Sequence, residues 1–109
     1  MIIQGLTAFV YDLEVFPNLF TCAVKNSESG QIRVYEISQR KNDMPKIAKL
    51  FQNKKIIFVS YNGIHYDNPI ISYILINYQE LIQLPIWEIN KKLKEFSDLI
   101  INSVNSKPW

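Results

Sequence analysis

Hydrophobic and polar positions alternate in a way that divides this chain into strands first and helices later. Leu6 to Val15 predicts a strand whose first half, Leu6-Thr7-Ala8-Phe9-Val10, is almost wholly apolar, as in a strand covered on both faces. Phe16-Pro17-Asn18 breaks it with turn chemistry. Leu19 to Lys25 predicts a second strand. The polar turn Asn26-Ser27-Glu28-Ser29-Gly30 leads to a third, Gln31 to Ile37. Short turns between three strands indicate an antiparallel meander. A helix then follows, capped by Asn42 or Asp43, with Pro45 in its first turn. Met44, Ile47, Leu50 and Phe51 form its buried stripe.

Lys54-Lys55 ends that helix, and Ile56-Ile57-Phe58-Val59 is a short apolar run typical of a central parallel strand. Ser60 to Asn68 reads as loop. A second helix begins near Asn68-Pro69, with Ile70, Ile71, Ile74, Leu75 and Tyr78 inward. A third begins near Pro85, with Ile86, Ile89, Leu93 and Phe96 inward, and 102–109 is a polar tail. The order β-β-β-α-β-α-α predicts an α/β domain that starts as a ribonuclease-H-like fold does. That fold continues with at least one more strand and helix, so residues 1–109 are expected to form a single, truncated domain.

Composition adds limits rather than direction. The chain has 109 residues, enough for one domain that buries roughly two thirds of its unfolded surface. Hydrophobic residues make up 48% and charged residues 20%, which is ordinary globular usage. The formal net charge of +2 neither demands nor excludes nucleic acid, so a polyanion-binding face would need local clustering. Cys22 is the single cysteine and His65 the single histidine, which removes disulfide frameworks and multi-histidine zinc sites. No signal peptide is visible, and no apolar run approaches the roughly 20 residues that span a bilayer. These features lead to the expectation of a soluble protein in the reducing cytoplasm.

Candidate chemistry begins at Asp12 and Glu14. Two apart on a strand, they share a face, with Cα atoms roughly 6.5–7 Å apart. Two carboxylates so placed repel each other unless a cation lies between them, and Mg²⁺ or Mn²⁺ prefers such hard oxygen ligands. The same tripeptide also occurs where a strand end simply emerges into solvent. In open α/β sheets, ligand sites gather beyond the carboxyl ends of strands. If the strand at Ile56 to Val59 runs parallel to the first, its following loop brings Asn62 and Asp67 to the same end. Asp67 also suits the positive end of the helix that follows.

With these residues in view, a resemblance can be stated. The segment Phe9-Val10-Tyr11-Asp12-Leu13-Glu14-Val15-Phe16-Pro17-Asn18 resembles the first exonuclease motif of family B and related bacteriophage DNA polymerases. Tyr61-Asn62-Gly63-Ile64-His65-Tyr66-Asp67 resembles the second, Asn-x-x-x-(Phe/Tyr)-Asp. The likeness covers roughly residues 5 to 80. It implies a 3′–5′ proofreading exonuclease domain in which Asp12, Glu14 and Asp67 bind two divalent metals, Mg²⁺ or Mn²⁺. Asn62 and Tyr66 would touch the single-stranded DNA 3′ end, and the rest of the polymerase or exonuclease domain would be a partner. A phage-encoded protein of this kind would act in the host cytoplasm.

The third motif of that family, Tyr-x-x-x-Asp on a late helix, is not found. The acids after Asp67 are Glu80, Glu88, Glu95 and Asp98, none in that pattern. The expectation is therefore an exonuclease portion inactive alone, with a degenerate module that binds nucleic acid or protein as the alternative. In a further variant, Glu88, Glu95 or Asp98 supplies the last ligand. Lys91-Lys92-Lys94 reads as a solvated helix face in preference to a DNA contact, and Trp87 as helix-packing core. An apolar strand at Ile56 to Val59, left at a sheet edge, predicts a marginal, dimeric or partner-dependent chain.

Overall fold

A computed structural model describes residues 2, 3, 5–60 and 66–105. Strand β1 (Ile2–Ile3) leads into the long β2 (Leu6–Phe16), then β3 (Leu19–Asn26) and β4 (Ile32–Ser38), all antiparallel neighbours. The turn between β3 and β4 closes on Asn26. Its side-chain oxygen accepts from the Glu28 and Ser29 amides, and Gly30 takes the left-handed conformation at φ 75°. A two-residue β5 (Lys41–Asn42) folds back on β4 and leads into helix α1 (Met44–Phe51). Strand β6 (Ile56–Ser60) then runs parallel to β2, in register from Thr7↔Ile56 to Tyr11↔Ser60. The meander and the parallel crossover expected from the hydrophobic pattern are both present.

Three helices complete the described fold: α2 (Asn68–Ile76), a four-residue α3 (Tyr78–Leu81) that the pattern did not announce, and α4 (Ile86–Asn105). The last extends about two and a half turns past Phe96 and takes in part of the segment expected as tail. The N-terminal helix contacts differ in detail from expectation. In α1 the Asn42 side chain accepts the Met44 amide at 3.0 Å, whereas the Asp43 carboxylate turns back to the Glu36 amide at 2.9 Å. Asn68 does not cap α2; its side-chain oxygen accepts the Tyr11 hydroxyl.

The sheet is covered by helices on one face. From that face Tyr11, Leu13, Phe20, Cys22, Val24 and Ile37 meet Met44, Ile47, Ile70, Ile74, Ile89 and Leu93 in a single buried cluster. Strand alternation puts every second residue there, and helical spacing on α1, α2 and α4 supplies the other half. Phe51 and Phe58 stack at 4.2 Å beside Tyr11, and Tyr73 stacks on Phe96 at 4.4 Å. The smallest overall extent, 21 Å, is that of two layers.

The opposite face carries Val10, Asp12, Glu14, Phe16, Ala23, Lys25, Ile32, Val34 and Val59 by the same alternation. Ile32 is 62% exposed and Val34 56%. The apolar first half of β2 therefore does not mean helices on both sides. Nor is β6 central: among the described residues it pairs with β2 alone, leaving it at an edge. Trp87, expected in the core, is 55% exposed on α4. Among the described residues no helix is long and apolar enough to cross a membrane.

Candidate functional site

The first two carboxylates follow from β2 itself. Tyr11 and Leu13 are buried at 2% and 4% exposure, so Asp12 and Glu14 between and after them must point to the other face, into solvent. Asp12 sits across from Ala23 and Glu14 across from Thr21. Lys25, paired with Val10, is the diagonal neighbour of Asp12 on that face. Val10, Asp12, Ala23, Lys25 and Ile32 line a shallow hollow of ≈ 170 Å³. A cation reaching Asp12 would meet an open, mostly apolar surface with one lysine on it.

Asp67 arrives by another route. Chain direction in β6 matches β2, so Ser60 lies level with Tyr11 on the helix-covered face. The hydroxyl of Ser60 donates to the Asp67 carboxylate, which is fully buried. Ile70, Ile71 and Ile74 of α2 dock into the core and draw the N-terminal end of that helix, with Asp67, beneath the same face. The neighbours register its charge. Burial pushes the Tyr11 phenol well above its ordinary value, and the Asp67 carboxylate adds to the shift. Burial likewise pushes the Cys22 thiol up to about 12, with Asp67 and then Asp12 contributing. The thiol is therefore protonated at neutral pH and is not a nucleophile.

The parallel pairing brings the ends of β2 and β6 together as expected, but the sheet lies between the carboxylates. Asp12 and Glu14 leave its open face, whereas Asp67 is buried under the other. As arranged, the three do not fit a shared Mg²⁺ or Mn²⁺, which needs its oxygens on one side. Among the described residues no group of three or more His, Cys, Asp or Glu could hold a metal. A third acid on the open face was not foreseen: Glu36, two strands from Glu14 and joined to it through Thr21. Its signal in the sequence was its register on β4. The Arg40 guanidinium holds it at 2.8 Å through both carboxylate oxygens, and Ser38 donates to it as well. These partners lower its carboxyl to about 2 and occupy its oxygens.

Tyr66 is half-buried, packs against the core, and shares a 2.7 Å hydrogen bond with Ser97 of α4. That geometry ties Tyr66 to α4. Asn62 and His65 lie outside the described residues. On α4, Lys94 pairs with Asp98 at 2.8 Å, while Lys91 and Lys92 share their surface with Glu88 and Glu95. This is a mixed, solvated helix face.

No protein-family model matches the chain, and neither a curated protein nor a solved structure matches it.

Proposed function

We propose that the chain is the front section of a 3′–5′ exonuclease domain of the phage-polymerase type, built on a ribonuclease-H-like sheet. We propose too that in the described arrangement it does not hydrolyse DNA by itself. The observation that carries the reading is the order of parts: Asp12 and Glu14 on the far half of β2, with β6 parallel beside it and Asp67 just beyond its end. The support comes from the described motif residues: Asp12 and Glu14 on β2, and Asp67 between β6 and α2. What weighs against catalysis by these residues alone is equally specific. Asp67 faces away from Asp12 and Glu14, and the 109 residues contain no Tyr-x-x-x-Asp. A fourth carboxylate and a water-orienting tyrosine would have to come from another segment.

The separation of carboxylates across the sheet also favours a second reading, a module of this type that binds without cleaving. Incubation of the chain with end-labelled single-stranded DNA and Mg²⁺ or Mn²⁺ separates the possibilities. At most a trace of 3′ shortening is expected. Robust shortening that Asp12→Ala abolishes would overturn the inactive reading. The motif assignment itself is tested by Mn²⁺ titration followed by NMR. Amide signals around residues 12–14 should broaden first and should be spared in Asp12→Asn/Glu14→Gln. Broadening that begins elsewhere, or that survives the double substitution, counts against the assignment.

A further inference from the structure

At the edge of the sheet, β4 and the length of α1 border an open groove of ≈ 520 Å³, to which Val34 of the open face also contributes. Arg33 comes to it from β4, Lys41 from β5, and Lys46 and Lys49 from α1. Asp43 is the acid in its lining. Four cations against one carboxylate make a surplus greater than the net charge of the whole chain, +2. Like charges gathered into a concavity repel each other and raise the local potential, which favours an anionic occupant. Asp43 does not cancel them. It is 3% exposed, anchored by the Glu36 amide, and lies 3.2 Å from Lys41 and 3.9 Å from Lys46. It holds those two ammonium groups at the groove wall. Arg33 and Lys49 have no carboxylate within ion-pair distance among the described residues.

A second hollow of ≈ 170 Å³ adjoins the groove, sharing Arg33, Tyr35 and Leu50 with it and adding Phe9 and Ile56. Its lining is mainly apolar and includes two aromatic rings. A row of cations that opens beside an apolar, aromatic hollow matches a strand whose charged backbone alternates with flat bases. We infer that this β4–α1 groove binds the phosphate backbone of a single-stranded nucleic acid, with a base entering the hollow at Tyr35 and Phe9. The sequence hides the site, because its cations lie at positions 33, 41, 46 and 49 with no basic run among them. The inference does not depend on the exonuclease reading: none of the motif carboxylates lines the groove or the hollow, and of the two motif segments only Phe9 reaches the hollow.

Fluorescence anisotropy of labelled oligothymidylate and oligouridylate against the full chain, over a range of salt, tests it. The key comparison is between Lys46→Glu/Lys49→Glu and Lys91→Glu/Lys92→Glu, which change the net charge equally on different surfaces. The groove variant should bind several-fold more weakly, with a salt slope smaller by about 1.4 for two lost phosphate contacts. The α4 variant should bind like the parent. Lys49→Gln, at an exposed position with no acid partner, covers the case in which the double variant unfolds; it should lower the slope by about 0.7. Lysine acetylation footprinting of the unaltered chain should show protection at Lys41, Lys46 and Lys49 but not at Lys91 or Lys92. The two oligonucleotides distinguish DNA from RNA, and preference for either fits. Absence of binding, equal loss in both charge variants, protection centred on α4, or equal competition by polyglutamate would each overturn the proposal.

Discussion

Replacing Asp67 with alanine separates a structural carboxylate from a solvent-facing one. Asp67 is fully buried, accepts the Ser60 hydroxyl and lies at the N-terminal end of α2. A hydrogen bond to a charged group contributes about 1.5–3 kcal/mol. A negative charge at a helix N-terminus adds about 0.3–1 kcal/mol. Removing the carboxylate also relieves its own desolvation, and Asp67→Ala should still cost about 2 kcal/mol. For a domain of this size that corresponds to a fall in Tm on the order of 10 °C. Asp12→Ala works in the opposite regime. Its side chain is exposed and shares a face with Glu14, so its removal relieves repulsion and should change stability by less than about 0.5 kcal/mol. Urea unfolding followed by far-ultraviolet circular dichroism, with thermal melts as a second probe, measures both. A stable Asp67→Ala protein, within about 0.5 kcal/mol of the parent, would refute the buried placement of this carboxylate. So would an Asp12→Ala protein destabilised as much as Asp67→Ala.

Other consequences can be checked with the same assays. Leu93 of α4 is fully buried, so Leu93→Ala should cost about 2–5 kcal/mol, while Trp87→Ala on the exposed side of that helix should be nearly neutral. Equal costs at the two positions would contradict the orientation of α4. The Glu36 carboxyl is lowered from 4.5 to about 2 by its hydrogen bonds from Arg40 and Ser38. A folded-state value below the unfolded one stabilises above the unfolded value, and that contribution is lost as pH falls through the folded one. Stability should therefore decline between pH 4.5 and about 2, and Glu36→Gln should flatten that part of the profile. An unchanged acid limb would count against the Arg40 fork. Cys22, buried and with its thiol pushed up to about 12, should react with iodoacetamide only as the chain unfolds. Rapid labelling of the native protein would place the thiol elsewhere.

The Asp12–Glu14 pair and the basic groove occupy different parts of one sheet. The open side holds Asp12, Glu14 and the Glu36–Arg40 pair among exposed apolar residues such as Ile32 and Val34. The covered side holds the core, the buried Asp67 and, at its margin, the basic groove. Lys46 and Lys49 belong to α1 and Asp12 and Glu14 to β2, and neither carboxylate lines the groove, so substitutions at one pair leave the other in place. The binding and cleavage assays can therefore fail independently.

The sequence by itself determined the elements and the faces within them. Period-two alternation is local, so Tyr11 and Leu13 had to oppose Asp12 and Glu14 once β2 was a strand. The stripe Met44, Ile47, Leu50 and Phe51 had to make α1 amphipathic, and Ile86, Ile89, Leu93 and Phe96 had to do the same for α4. Short turns at Pro17-Asn18 and Asn26–Gly30 made the meander legible as well. Only the tertiary structure decided which side of the sheet each helix covers, because that depends on burial summed over distant residues. Docking of Ile70, Ile71 and Ile74 carried Asp67 to the face away from Asp12 and Glu14. The same packing left β6 at an edge and Trp87 in solvent, although their apolar side chains suited a core equally well. It also brought Arg33, Lys41, Lys46 and Lys49 to one groove, a convergence made by strand pairing and helix docking across charges that are scattered along the chain.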